Sequence, residues 1–432
     1  MLPVGLRPIL AAMPIERMMA MSARPELTLF AAVPAGRGAD GRLLLDDKFV
    51  SGMALHAAQW AGPVRAVLRE TGGEGLPFAS AVDPASLPFQ ATLLAPDAPL
   101  ESALRDGPGL VLCSADVTEQ LALGPAARAR GLSVVYGIEY TLDTRMQVAR
   151  LDRSRGPARR LWSMLWNLRQ ERHRRAALRA ADGIQMNGFP ADRDYAGLNP
   201  LPLRYLDNRM TLDMMAAPAD MQARRDRHAR GEPLRLIHSG RLEPMKGGHL
   251  LVPLARALQA AGVAFTLDIY GAGSLQDDIA AGIASGGLSD RVRLHGPVPF
   301  ETRLVPLSRQ TADVFVSCHV QSDPSCTYLE AMGCGLPVVG FANRMLAALV
   351  ADSGGGWCVP MGDLSAMAAL IGGLERNRAS LLARADAALS YAQGHDFAAE
   401  FDARMRHLAQ AFSRSGRSAS AAGQPRHGLA GS

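Results

Sequence analysis

Long hydrophobic runs, paired cysteines and strong net charge are all missing from this 432-residue chain. Without a run of about eighteen apolar residues, no membrane-spanning helix is expected. The five cysteines, Cys113, Cys318, Cys326, Cys334 and Cys358, are odd in number and contain no C-x-x-C pair. That usage argues against a disulfide framework or a zinc site and for reduced thiols in the cytoplasm. A formal net charge of +5 is too mild to imply nucleic acid. The opening residues, MLPVGLRPILAAMPIERMMAMSARPE, lack the uninterrupted apolar core of a signal peptide. Residues 1–24 are therefore expected as a disordered leader, with Met21 as an alternative translation start.

What is present is the balance of a globular protein, 48% hydrophobic and 20% charged, in a chain too long for one ordinary core. Two domains are expected. Apolar runs predict strands over residues 26–33, 64–68, 91–94, 109–113, 132–136 and 181–186, alternating with helical or proline-rich connections. Such alternation points to an α/β fold with doubly wound parallel sheets. The loop AGRGADGRLLLDD has glycines at Gly36, Gly38 and Gly41, but RLLLDDK separates them from the next helix, which spoils the dinucleotide-binding pattern. The strand over 132–136 ends in the polar segment GIEYTLDTR, a candidate substrate edge containing Glu139.

Residues 145–175 are densely basic, with Trp162 and Trp166 one helical turn apart and Leu161, Leu165 and Leu168 at helical spacing. This composition suits a helix lying on an anionic membrane surface. It equally suits an amphipathic helix that buries both tryptophans in its own domain. Nothing nearby resembles a nucleic-acid recognition motif.

A second series of strands is predicted over residues 234–238, 265–270, 291–294, 313–317 and 337–339. After the first of these, SGRLEPMKGG brings glycines, Arg241 and Lys246 together before an apolar helix starting near Gly248. Glycines allow close backbone approach, free amides at a helix start favour an anion, and two cations add charge-assisted contacts, so this loop is a candidate diphosphate cradle. Gly271 closes the second strand and Ser274 is the expected cap of the next helix; His295 closes the third and is a candidate pocket-lining residue. The stretch SCHVQSDPSCTYLEAMGCGLPVVG then predicts a helix of about three turns, begun at Asp323 and Pro324, that sets Glu330 near the ligand edge of the sheet.

Taken in order, GRLEPMKGG, DIYGAG, RVRLHGPV, ADVFVSC and SCTYLEAMGCGLPVVG resemble the C-terminal half of the family-4 glycosyltransferases with the GT-B fold, over residues 234–412. The resemblance implies two facing Rossmann-like domains and a nucleotide diphosphate sugar as donor substrate, with no other cofactor and no metal. It implies that Arg241 and Lys246 contact the diphosphate, that Glu330 bonds the ribose hydroxyls, and that Gly240 and Gly271 admit the donor. His295, Ser322, Asp323 and Ser325 are further candidate donor-binding residues. The family usually has a second glutamate earlier in the chain, separated from the position of Glu330 by seven intervening residues. Here that place holds Ser322, with Asp323 adjacent. Where many members carry a histidine after a first-domain strand, YGIEYT offers Glu139, the third candidate catalytic residue beside Arg241 and Lys246.

The expected organisation is a leader (1–24), an N-terminal acceptor domain (25–215), a linker (216–233), a donor domain (234–396), a helix crossing back to the first domain (397–412) and a disordered tail (413–432). The expected activity is retaining sugar transfer to a hydroxyl acceptor, suggested to be lipid-linked and to belong to exopolysaccharide or lipopolysaccharide assembly on the inner face of the cytoplasmic membrane. Two other readings stand beside it, a nucleotide sugar epimerase of related fold and a non-catalytic sugar-nucleotide-binding protein.

Overall fold

A computed structural model describes residues 24–38, 40–72, 79–152, 156–322 and 324–415. The leader up to residue 23, the tail from residue 416 and Asp323 lie outside the described residues.

Among the described residues the first domain contains ten strands: β1 Glu26–Phe30, β2 Ala35–Arg37, β3 Leu43–Asp46, β4 Val64–Arg69, β5 Ala79–Val82, β6 Gln90–Leu94, β7 Gly109–Ser114, β8 Ser133–Ile138, β9 Gly183–Asn187 and β10 Pro202–Tyr205. Seven form a parallel sheet in the order β10-β9-β8-β7-β1-β4-β6. Its central strands are buried on both faces, so they appear in sequence as continuous apolar runs. The other three, β2, β3 and β5, make a small antiparallel sheet. The sequence predicts only a loop there. A turn closed by Gly41 at φ 80° and by the Asp40 carboxylate, which accepts from the Arg42 amide, pairs β2 with β3.

The second domain is a six-stranded parallel sheet: β11 Leu234–Ser239, β12 Phe265–Tyr270, β13 Val292–Gly296, β14 Val314–Ser317, β15 Val338–Phe341 and β16 Gly356–Val359. Their order is β13-β12-β11-β14-β15-β16. Two facing doubly wound domains are the GT-B architecture that the sequence predicts. The helix Phe397–Arg414 returns to the first domain, where Phe401, Met405, Leu408 and Ala411 enter its core. The two crossings are tied to each other. The Phe397 amide donates to the Met210 carbonyl at 2.8 Å, and the Asn208 side chain donates to the His395 carbonyl at 3.0 Å.

Three local expectations are corrected. Residues 216–233, expected as a linker, contain the helix Pro218–Ala229, docked on the second domain. Its fully buried Arg224 donates to the carbonyls of Arg309, Ala312, Cys334 and Gly335 at 2.5 to 3.1 Å. Its charge thus satisfies carbonyls at the ends of two helices. The helix after β14 runs Cys326–Gly333, shorter than the expected three turns, with Ser325 extended at its start and making no side-chain cap bond. Ser274 does not cap its helix, Gln276–Ser285; its amide and hydroxyl instead donate to Glu243.

Candidate active site

Strand order decides which loops share the carboxyl edge of the second sheet. With β13, β12, β11 and β14 as neighbours, the loops bearing His295, Gly271, Arg241 with Lys246, and Ser322 with Ser325 stand in a row. The approach is close enough to exclude side chains. A Cβ on Gly271 (φ 134°) would lie 1.9 Å from the Gly240 carbonyl oxygen, and one on Gly247 (φ 72°) 1.8 Å from that of Cys318. Glycine is therefore required at both positions on steric grounds. The segment Pro244–Lys246 is a single 3-10 turn, and a second one, Gly248–Leu250, precedes the helix Leu251–Ala260, so the α-helix begins one turn later than expected. Glu243 staples this loop to the next. It accepts from the Ser274 hydroxyl at 2.6 Å and amide at 3.0 Å, and these bonds hold its carboxyl below the usual range.

Arg241 is exposed and Lys246 is buried at the carboxyl edge. Both cations act on His319, at the end of β14. Burial, followed by the charge of Lys246, keeps that imidazole well below its ordinary pKa and hence neutral. His319 is held by Tyr328, whose hydroxyl lies 3.2 Å from Nδ1, and by Asn343, which donates to its carbonyl at 3.3 Å. His319 lies in the polar segment that follows the strand and was not singled out from the sequence. His295, by contrast, is tied down. Its Nε2 lies 2.6 Å from Asp268 Oδ1 and its ring stacks on Tyr270 with centroids 4.5 Å apart.

Glu330 is almost completely buried on the helix Cys326–Gly333, and both its oxygens are engaged. Arg209, from the segment between the domains, donates Nε to Oε1 at 2.7 Å and its second nitrogen to Oε2 at 3.1 Å. The guanidinium also covers the Phe300 ring at 3.7 Å. One turn before Glu330, the Cys326 thiol is pushed up to about 12 by burial and the neighbouring carboxylate, so it stays protonated. Arg209 was not singled out in the sequence, where it falls near the end of the segment expected as the acceptor domain.

The opposing wall comes from the first domain. Glu139 is exposed just beyond β8, and its amide donates to Asp116 Oδ2 at 2.7 Å. Asp116 also takes the Tyr140 amide at 3.2 Å and a charge-assisted bond from the fully buried Arg174. Asp116 follows β7 at the carboxyl edge, a position at which polar groups are worth attention from sequence alone. The helix Leu142–Leu151 touches the turn Pro244–Lys246 across the cleft. Its Gln147 accepts the Ser322 amide at 3.1 Å. Ser322 Oγ in turn accepts from the Arg344 amide at 3.3 Å, while Ser325 bonds Thr327. Beside these contacts lies a cavity of about 430 Å³ lined by Leu142, Asp143, Met146, Glu171, Arg175, Asp194 and Tyr195.

The basic helix, Pro157–Ala180, does not bury its tryptophans in the core of its own domain. Trp162 and Trp166 are 62% and 41% exposed, so they are not core residues. They stack on each other with centroids 5.6 Å apart, and Leu161, Leu165 and Leu168 are exposed beside them. Among the described residues no helix is long and apolar enough to cross a membrane.

Comparison with known proteins gives the same picture. Residues 233–377 match the family described as glycosyl transferases group 1. The amylovoran biosynthesis glycosyltransferase AmsK of Erwinia amylovora is 30% identical over 162 residues, 36% of this chain and 39% of that protein. The putative colanic acid biosynthesis glycosyltransferase WcaL of Salmonella typhimurium is 31% identical over 154 residues, 34% and 37% of the two chains. The chain thus spans less than two fifths of the length of the curated relatives it matches. Among solved structures, Anabaena Alr3699/HepE in complex with UDP is 16% identical with a TM-score of 0.57, covering 92% of this chain and 99% of that one. WaaG, a glycosyltransferase involved in lipopolysaccharide biosynthesis, is 14% identical with a TM-score of 0.55, covering 88% and 99%. Residues 233–377 are therefore similar to the group 1 glycosyl transferases, and the whole chain shares the fold of these two solved structures.

Proposed function

We propose that this protein is a retaining glycosyltransferase that moves a sugar from a nucleotide diphosphate sugar to a hydroxyl acceptor. The observation that carries this reading is the convergence of Arg241 and buried Lys246 on the glycine-lined carboxyl edge, within the segment that matches the glycosyl transferase model. The acceptor oxygen bonds to the anomeric carbon as the bond from that carbon to the diphosphate oxygen breaks. The acceptor proton passes to the departing phosphate on the same face, which gives retention. Arg241 and Lys246 stabilise the charge left on the diphosphate without requiring a metal, and Glu330 accepts from the ribose. Gly240 and Gly271 give the donor room, His295 and Ser325 line its ends, and Ser322 is assigned to the sugar; Asp323, its neighbour in sequence, is a further candidate there. Glu139, on the opposite wall, is the first-domain side chain assigned to the reacting centre.

An acceptor joined to a lipid carrier suits the exposed Trp162–Trp166 stack and its arginines, which we assign to the inner face of the cytoplasmic membrane. AmsK, WcaL and WaaG, named for exopolysaccharide and lipopolysaccharide synthesis, support this substrate class. The deciding experiment incubates the protein with a panel of radiolabelled nucleotide sugars and lipid extracts and follows label into lipid. Transfer that depends on Lys246 supports the reading. Epimerised donor without transfer, or binding without turnover under every acceptor, would replace it with one of the two alternatives.

A further inference from the structure

The contact between Arg209 and Glu330 says more about donor recognition than the carboxylate alone. Glu330 has about four lone-pair sites on its two oxygens. Arg209 occupies two of them in a planar fork, and the protonated Cys326 thiol is a weak third donor. What is left of that capacity can accept from a hydroxyl donor. The fork itself is fixed from behind by Phe300, 3.7 Å from the guanidinium carbon. It is fixed along the chain by the hinge, since Arg209 lies between Asn208 and Met210, the two residues that bond the returning segment at His395 and Phe397.

We propose that Arg209 is the positioning residue for ribose recognition. By holding the Glu330 carboxylate in one plane it directs the remaining lone-pair capacity at a ribose hydroxyl, and it ties that contact to the hinge between the domains. This rests on the donor reading above. A carboxylate this buried, deprived of its only bidentate partner among the described residues, would lose both its orientation and its compensation for burial.

The test is calorimetric titration of the full chain with UDP and 2′,3′-dideoxy-UDP, run in parallel with GDP and 2′,3′-dideoxy-GDP. The native protein is expected to bind one parent nucleotide roughly 10- to 100-fold more tightly than its dideoxy form, the usual range for a hydrogen bond to a charged group. Arg209→Met should weaken the parent nucleotide by a similar factor while leaving the dideoxy form nearly unchanged, so that the ratio falls towards one. Arg209→Lys, which keeps the charge without the fork, should lie between. A folding defect would lower both affinities together, and thermal unfolding of each variant checks for one. Should Arg209→Met keep full hydroxyl discrimination, or bind the nucleotide more tightly because the arginine had been plugging the site, the positioning role is wrong. If the native protein binds no member of a panel of UDP, GDP, ADP, CDP and dTDP, the donor reading itself falls and takes this inference with it.

Discussion

Arg344 of the second domain grips Asp194 of the first, its two terminal nitrogens lying 2.5 and 3.0 Å from the two carboxylate oxygens. The pair is only half-buried, so its contribution to stability is small, on the order of 1 kcal/mol or less. Its position matters more than its strength. Together with the bond between Gln147 and Ser322 it spans the cleft next to the donor edge. Arg344→Ala is expected to leave the melting temperature within a few degrees of native while enlarging the radius of gyration seen by small-angle scattering, as the domains part. An unchanged scattering profile would show that the cleft is held by other contacts.

Lys246 and Arg241 should respond differently to removal although both are assigned to the diphosphate. Lys246 is buried against the loop that ends β14, so its charge acts through a low-dielectric environment; Arg241 is exposed and better screened. Replacement of Lys246 by alanine is expected to lower kcat by about 10²- to 10³-fold, the range found when one stabilising donor to a developing anion is lost. Arg241→Ala should cost less and should be more sensitive to salt. Initial rates measured at two ionic strengths separate them. Equal losses with equal salt dependence would mean that the two cations do not play distinct parts.

Much of this arrangement was legible in the sequence because its physical cause is local. Strands buried on both faces show as apolar runs, and Phe265–Tyr270 was bounded correctly from FTLDIY alone. The glycine-lined loop at Gly240, Arg241 and Lys246 announces itself through residue types that have few other uses in that order. What stayed hidden depends on partners far apart in the chain. Arg209 meets Glu330 across 121 positions, and Arg224 finds the Gly335 carbonyl across 111. In both cases an arginine in a polar segment looks solvated until the tertiary fold supplies its acceptors. The short helix after β14 failed for a related reason. Asp323 and Pro324 satisfy the local rules for a helix start, but the Ser322 amide is drawn to Gln147 of the other domain and Ser325 remains extended.

Arg224 allows a direct measurement of such a hidden contact. Replacing it with methionine preserves length but leaves the carbonyls of Arg309, Ala312, Cys334 and Gly335 without this donor. The expected loss is about 3–5 kcal/mol, the cost of breaking a buried charged network on one side. It should appear in urea unfolding as a lower midpoint at an unchanged slope. A loss below about 1 kcal/mol would mean that water replaces the guanidinium at no cost.

Asp313 gives the second domain an acid-sensitive element. Burial alone would raise its carboxyl pKa, but hydrogen bonding from His228, the Arg235 amide and the nearby Arg227 overcome that and lower it below the ordinary value of 3.8. A carboxyl depressed in the folded state stabilises the fold above its unfolded pKa, and that stability is lost as pH falls through the folded value. Asp313→Asn should therefore be less stable than native at pH 7, with the difference shrinking as the pH is lowered from about 4 towards 2. Chemical unfolding at a series of pH values checks this. A difference that stays constant through that window would assign the loss to packing rather than to charge.

The exposed ridge on the helix Pro157–Ala180 yields the remaining test. Trp162 and Trp166 offer stacked indoles, with exposed Arg159, Arg169 and Arg172 on the same helix; Arg145, Arg174 and Arg175 are instead held by Glu171 or Asp116. Attraction to anionic lipid should therefore rest on the exposed arginines and insertion on the indoles. Sedimentation with vesicles rich in phosphatidylglycerol is expected to recover the native protein at low salt and release much of it near 0.5 M salt, where the Debye length has shrunk to a few ångströms (about 4 Å). The double variant Trp162→Ala and Trp166→Ala should weaken binding roughly 10-fold or more, because two amphipathic side chains no longer reach the interface. It should leave nucleotide binding untouched, since neither tryptophan belongs to the donor edge. Equal recovery with neutral phosphatidylcholine vesicles would remove the arginines from the explanation, and equal recovery of the double variant would remove the indoles.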